Sequence, residues 1–538
     1  MKTGLLAFPR RALFAPLALS LVMLAAPPEA RAEGTAFRQA VAEGAARMDA
    51  LAGHYRDTLY APVWTGTEDL HAARRAALIE ALDRAGDHGL PVGEYDLAGL
   101  RAQMAAARTP KELGAVEVAL SRAFLAYARD LDTGVLVPAR ADGDIKREVP
   151  RRDLADYLDE LVRSDDPRSV LRGLVPRSPE YARLMKAKLM LERVVASGGW
   201  GSTVPSGKLE PGQSGPAVVA LRDRLVARGY MRRSAVASYD ATLQKAVQAF
   251  QADHGLETDG VAGPSTIAAL NVSAEERLKS VIVAMERERW LPEERGERHI
   301  LVNLTDFSSR ILDHGKETFR TRSVIGHTDT DRRTPEFSDV MDHIVINPSW
   351  NVPRSITVKE YLPNMQRNRN AHSYLRVIDS RGRVVNRSAV NFGAYSARSF
   401  PFRLQQPPST RNALGLVKFM FPNKYNIYLH DTPQKHLFAR EKRAYSHGCI
   451  RLAEPFEFAY ALLAKQESDP KGTFHRILDS ARETRVNLEQ PVPVHLIYRT
   501  AFTTAKGQVE YRNDVYGRDA RIWTALEAEG VALPAPRG

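Results

Sequence analysis

The clearest hydrophobic pattern lies in residues 115–131, where Val116, Leu120, Ala123, Phe124, Tyr127 and Leu131 recur at three- and four-residue intervals. This spacing puts all six on one helix face and predicts a helix whose stripe is core. The surrounding sequence, residues 33–200, is rich in Ala, Leu and Arg with few strand-like runs, and reads as a helical scaffold. Gly198-Gly199-Trp200-Gly201-Ser202 and Pro205-Ser206-Gly207 then mark a linker. Residues 208–271 carry three short helical stripes: Val218, Val219, Leu221, Leu225 and Val226, then Leu243, Val247 and Phe250, then Thr266, Ile267 and Leu270. Asp259-Gly260 and Gly263-Pro264 supply turns. So short a module buries only a small core, so all three stripes are needed for packing.

The period changes after a charged helical stretch, residues 274–290. Ile300-Leu301-Val302-Asn303-Leu304, Arg322-Ser323-Val324-Ile325-Gly326 and His343-Ile344-Val345-Ile346-Asn347 are short runs of high β propensity. Strands without intervening helices predict a mostly antiparallel sheet or sandwich. Residues 356–408 are mixed, and a long surface loop fits them as well as a folded insertion does. Glu454-Pro455 opens a helix carrying Phe456, Phe458, Ala459, Leu462 and Leu463, which is expected to pack behind the segment before it. Residues 491–538 read as further strands with a helical finish. The fold class expected is multidomain α+β: helical scaffold, small three-helix module, and β-rich domain at residues 298–490.

Length and a hydrophobic fraction of 44% fit three or four globular domains. Lys2, Arg10 and Arg11, an apolar stretch over residues 12–26, and Ala30-Arg31-Ala32 have the layout of an export signal over residues 1–32. The apolar stretch is shorter than the roughly 20 residues a spanning helix needs. The formal charge is +12, and losing Lys2, Arg10, Arg11 and Arg31 with Glu29 leaves +9. Such a balance suits anionic surroundings. Export makes nucleic acid the least fitting partner, and no basic run is interleaved with stacking aromatics, so the charge reads as dispersed over solvated faces.

Cys449 is the only cysteine, within Ser446-His447-Gly448-Cys449-Ile450-Arg451-Leu452, and His430-Asp431 ends an apolar run upstream. A lone thiol makes no intramolecular disulfide, and in an exported chain it risks oxidation, so it calls for an account. A thiol of pKa near ~8.5 is a few per cent thiolate at neutral pH, and an imidazole or backbone N–H groups raise that fraction. Taken alone, the residues leave a buried inert cysteine as open as a nucleophile. One Cys and two His leave a tetrahedral zinc site a ligand short.

The pattern His430-Asp431-Thr432 followed by Ser446 to Leu452 resembles the YkuD-type L,D-transpeptidase catalytic domain. The resemblance continues through Asn347-Pro348-Ser349-Trp350-Asn351-Val352-Pro353, Asn412-Ala413-Leu414-Gly415, Lys418-Phe419, Pro422-Asn423 and Ile427-Tyr428-Leu429, blocks that match the large YcbB-like branch. The segment from Leu120 to Pro138 resembles that branch's helical scaffold. Gly212-Gln213-Ser214-Gly215, Gly229-Tyr230, Phe250-Gln251, His254-Gly255-Leu256 and Asp259-Gly260 resemble a three-helix peptidoglycan-binding domain, which serves either as a wall anchor or as a packing partner.

The resemblance implies a periplasmic enzyme that forms 3→3 cross-links in peptidoglycan, with a capping insertion at about residues 356–408. Cys449 is the implied nucleophile and His430 the base. Gly448 and Cys449 N–H groups are implied oxyanion donors, and Ser446, His447 and Arg451 are positioning residues. Geometry also favours His430 over His447: if the run before His430 pairs with the cysteine segment, cross-strand side chains lie about 4.5 to 5.5 Å apart at Cβ. The substrates implied are a donor tetrapeptide stem and an acceptor stem, with no cofactor or metal, and other wall-synthesis proteins as further partners. A carboxypeptidase or lipoprotein-attachment enzyme of the same fold, and a non-catalytic peptidoglycan-binding protein, are the alternatives.

Overall fold

The computed structural model describes residues 28–292 and 294–534. The proposed export signal falls almost wholly outside them. The described chain divides into two units, residues up to Ala72 with Ala98–Arg122, and Ala73–Leu97 with the chain from Ala123 onward.

The first unit is helical. Its centre is the buried Glu117 carboxylate, which accepts from the backbone N–H groups of Val63, Trp64 and Thr65 and from the Tyr55 hydroxyl. Trp64 Nε1 donates to Ser121 Oγ at 2.8 Å. A carboxylate with so many donors is paired in place of its lost hydration, and it pins the 63–65 turn. The 115–131 stripe lies in the helix Pro110–Thr133, and all six of its residues are buried.

In the second unit the three-helix module forms as its stripes require, with helices Pro216–Ala227, Ala241–Asp253 and Pro264–Asn271. Val219 is the exception: it is exposed, because Val218, Leu221 and Leu225 already fill the core face. Gln251 holds the Asp259-Gly260 turn, donating to Asp259 Oδ1 at 2.8 Å and accepting from Gly260 N–H at 2.9 Å. His254 stacks between Phe250 and Tyr511. Both matched residues therefore have packing roles.

The helix Ala274–Arg289 corrects the expectation that charge lies on solvated faces. Its last turn, Glu286, Arg287, Glu288 and Arg289, is buried. Arg287 pairs with Glu336 at 2.7 Å and Asp519 at 3.0 Å, Arg289 with Glu286 at 2.8 Å, and Glu288 with Arg295 and Arg499. Each charge has an opposite partner, the condition under which ions are tolerated inside.

The strands are β1 Arg298–Asn303, β2 Ser308–Asp313, β3 Lys316–Gly326, β4 Phe337–Ile346, β5 Trp350–Asn351, β6 Arg376–Ile378, β7 Val384–Val385, β8 Arg403–Gln406, β9 Val417–Met420, β10 Leu429–His430, β11 Ala444–Ser446, β12 Ile450–Leu452, β13 Thr484–Ile497, β14 Ala501–Thr503 and β15 Val509–Tyr511. Nine form one sheet in the order β11-β3-β12-β10-β9-β4-β13-β1-β2, and β2 also pairs with β3, so the sheet closes on itself. Most pairs are antiparallel, but β1–β13, β10–β12 and β11–β3 are parallel. The local pattern sets a strand's faces and leaves its distant partner open, so these parallel pairs were not read from it. The core contains Ile300, Val302, Ile325, Ile344, Phe419, Leu429 and Ile450. The helix Pro455–Leu463 covers it, with Phe458 against Phe319 and Phe419.

The mixed region is a folded insertion and not a loop. β5, β8, β6 and β7 make a second sheet, and Trp350, Ile356, Leu362, Val377, Phe392, Phe400 and Leu404 share a core of their own.

Candidate active site

Cys449 lies in the turn between β11 and β12. Gly448 has φ +117°, and a Cβ there would stand 3.1 Å from Ile427 Cδ1, so conformation and space both require glycine. Buried Ser446 closes the turn: its hydroxyl donates to the Cys449 carbonyl at 2.5 Å and accepts the Gly448 N–H at 3.1 Å. From below, Thr334 Oγ1 donates to the Gly448 carbonyl at 2.7 Å. The Gly448 N–H is thus already engaged, while among the described residues the Cys449 N–H has no acceptor.

The strand pairing sets which side chains share the site. β10 and β12 align Leu429 with Ile450 and His430 with Arg451, and β9 places Lys418 opposite His430. Side chains alternate along each strand, so Leu429, Ile450 and Phe419 enter the core while Tyr428, His430, Cys449, Arg451 and Lys418 share the other face. The run before His430 does pair with the cysteine segment, in a register that sets Tyr428 across from Cys449 and His430 on the diagonal. The thiol donates to the Asn426 carbonyl at 3.5 Å, and the N–H and hydroxyl of Tyr428 both face the sulfur. Tyr428 also meets Trp350 of the insertion.

Burial pushes the Cys449 thiol up to about 11, against the opposing pull of the Tyr428 donors, Arg451 and Lys418. Burial, with Arg451 beside it, pushes His430 down to about 3. Both groups are therefore neutral near pH 7. The His430 ring donates from Nδ1 to the Asp431 carbonyl and is also faced by the Leu414 carbonyl. Among the described residues no hydrogen bond joins the imidazole to the thiol.

The matched blocks around these groups are supports. The Asp431 carboxylate accepts from Leu416 N–H at 2.8 Å and Thr432 N–H at 2.7 Å and pairs with Lys435 at 2.6 Å, and a Cβ on Gly415 would run into it. Buried Asn412 donates to the carbonyls of Pro348, Gln406 and Pro407, holding the insertion's return to the sheet. Arg451 donates to Gln434 Oε1 at 2.7 Å. His447 points outward, its Nε2 2.7 Å from Glu360 of the insertion.

Tyr428, Lys418, Thr334 and Glu360 were not among the site residues read from sequence. Alternation from His430 would have found Tyr428, two residues before it in the same strand run. Thr334 and Glu360 carry no local signal, since only long-range packing brings them to the turn.

Residues 297–477 match the model of the L,D-transpeptidase catalytic domain, residues 214–270 that of a "Putative peptidoglycan binding domain" and residues 49–187 that of a "Scaffold domain". A Haemophilus influenzae protein named "Putative L,D-transpeptidase" is 31% identical over 226 residues, 41% of this chain and 45% of that relative. The match thus spans less than half of the relative's length. Among solved structures, an L,D-transpeptidase from Xylanimonas cellulosilytica is 18% identical, covering 55% of this chain and 98% of that one with a TM-score of 0.17. Another from Stackebrandtia nassauensis is 15% identical, with coverages of 55% and 97% and a TM-score of 0.21. Helical N-terminal region, three-helix module and closed β-rich domain with its cysteine turn go together: the chain carries an L,D-transpeptidase catalytic domain together with a peptidoglycan-binding domain.

Proposed function

We propose that this chain is a periplasmic L,D-transpeptidase that forms 3→3 peptidoglycan cross-links through a thioester on Cys449. The observation that supports this most is the single sheet face shared by Cys449, Tyr428, His430 and Arg451, within the segment matching the catalytic domain. Sulfur attacks the carbonyl of the third, diaminopimelate-type residue of a donor tetrapeptide, and the terminal D-alanine leaves. A side-chain amine of a second stem then displaces the sulfur. Covalent catalysis splits one difficult transfer into two acyl steps. Because the resting thiol is neutral, its proton leaves as the C–S bond forms. The neutral His430 imidazole, with Nδ1 committed to Asp431, takes that proton on Nε2 and passes it to the nitrogen of the departing D-alanine as the C–N bond breaks. The Cys449 N–H and the Tyr428 hydroxyl are the donors for the developing oxyanion.

The test is product analysis on purified tetrapeptide muropeptides with wild type and Cys449→Ala. A 3→3 dimer from wild type alone is expected, with unchanged melting of the variant. Tripeptide alone would make the chain a carboxypeptidase, and dimer from Cys449→Ala would remove the nucleophile assignment.

A further inference from the structure

Two histidines stand near the nucleophile in opposite settings. His430 is buried, with backbone carbonyls facing its ring, whereas His447 lies at the surface, two residues before Cys449. His447 Nε2 is 2.7 Å from Glu360 Oε1, in the π-helical turn Thr357–Tyr361 of the insertion. The same oxygen takes Arg332 at 3.2 Å, and the neighbouring Lys359 pairs with Asp331 at 2.8 Å. Two adjacent ion pairs thus join the insertion to the 331–332 segment, and one of them reaches the cysteine turn.

We infer that Glu360 is a positioning residue for the acceptor half of the transfer: it fixes His447 as the base that deprotonates the incoming acceptor ammonium. This rests on the transpeptidase reading above. A carboxylate at Nε2 selects the tautomer that donates from Nε2, leaving the lone pair on Nδ1. Among the described residues Nδ1 of His447 has no hydrogen-bond partner. The acceptor arrives as a primary ammonium, and an ammonium cannot attack a thioester. Arg451 and Lys418 beside the sulfur repel a cation, and His430 is enclosed, so a charged acceptor meets the half-exposed Glu360–His447 pair first. The ammonium gives one proton to His447 Nδ1. Its nitrogen then forms the amide C–N bond as the C–S bond breaks, and a second proton passes from that nitrogen to the departing sulfur, restoring the thiol. The imidazolium returns its proton to water.

The experiment separates the two half-reactions in the full chain. Wild type, Glu360→Gln, Glu360→Asp and His447→Gln are loaded with donor tetrapeptide, the thioester is read by intact mass, and a second stem peptide is then added as amine. Glu360→Gln is expected to acylate within about twofold of wild type, yet to transfer to the amine about tenfold more slowly at pH 7. The deficit should shrink toward pH 9 as the amine loses its own proton, and Glu360→Asp should recover part of the rate. Equal loss in both half-reactions, or no loss in transfer, overturns the inference while the function stands. No thioester on wild-type Cys449 overturns both.

Discussion

Thr334 Oγ1 donates to the Gly448 carbonyl at 2.7 Å while accepting the Gly326 N–H at 2.9 Å, so one buried hydroxyl joins the end of β3 to the turn that carries Cys449. The connection continues outward, for Arg518 donates to the Thr334 carbonyl at 2.8 Å and pairs with Glu336 at 3.0 Å. The C-terminal helix Arg518–Ala528 is thereby tied to the cysteine turn. Thr334→Val keeps the shape and removes both hydrogen bonds, leaving a buried carbonyl and N–H unpaired at about 1–3 kcal/mol. Acylation should slow by about tenfold, because a nucleophile displaced by a fraction of an ångström loses its alignment. Denaturant melts and acylation rates on Thr334→Val and Thr334→Ser check this, and Ser should restore most of both.

The thiol titration follows from the burial of the sulfur. With the group pushed up to about 11, alkylation by iodoacetamide should keep rising with pH well past 9, where an ordinary cysteine levels off. Tyr428→Phe removes a donor that favours thiolate and should shift the curve further up, slowing alkylation at pH 8 by about threefold for a half-unit shift. A plateau below pH 9 in wild type would show that the sulfur is hydrated.

Much of this architecture was legible because one face of each element was enough to define it. The stripe Val116 to Leu131 and the three short module stripes became helices, and Ile300, Ile325 and Ile344 mark strands where β propensity placed them. The cysteine turn was visible from its residue types. The register was not: whether His430 or Tyr428 faces Cys449 depends on a two-residue offset between strands, which side-chain alternation alone leaves open. The run Glu286-Arg287-Glu288-Arg289 looks like a solvated helix end, and only partners from distant segments, Glu336, Arg499 and Asp519, make its burial possible. The insertion was ambiguous because its strands are two to four residues long, too short to show a period.

That buried cluster has a measurable signature. Glu336 is shared by Arg287 and Arg518, and all three side chains are almost wholly enclosed. Glu336→Ala takes a shared carboxylate from two buried guanidinium groups and leaves Arg287 with Asp519 alone, a change that costs about 3–5 kcal/mol when a buried pair is broken. Glu80→Ala breaks the exposed pair with Arg168 and should stay within about 0.5 kcal/mol. Thermal melts of the two variants side by side test the contrast, and similar small losses in both would mean that water reaches the Glu336 cluster.

His430 gives stability a pH dependence whose sign is fixed by its burial. Its folded-state pKa is about 3 against an ordinary 6.5, so between those values the unfolded chain binds a proton that the folded chain does not. Its contribution is fully present above pH 6.5 and is lost as pH falls toward 3, at up to about 1.4 kcal/mol per unit, or roughly 2 kcal/mol by pH 5. His88 and His495, each pushed down to about 4, act in the same direction, so the wild-type slope alone does not isolate one ring. The difference between wild type and His430→Gln does, since glutamine keeps polar atoms in place and has no proton to gain. Relative to wild type, His430→Gln should gain stability steadily as pH is lowered from 7.5 to 5 in denaturant titrations. A constant gap across that range would mean that the His430 imidazole takes up its proton in the folded protein at the same pH as in the unfolded chain.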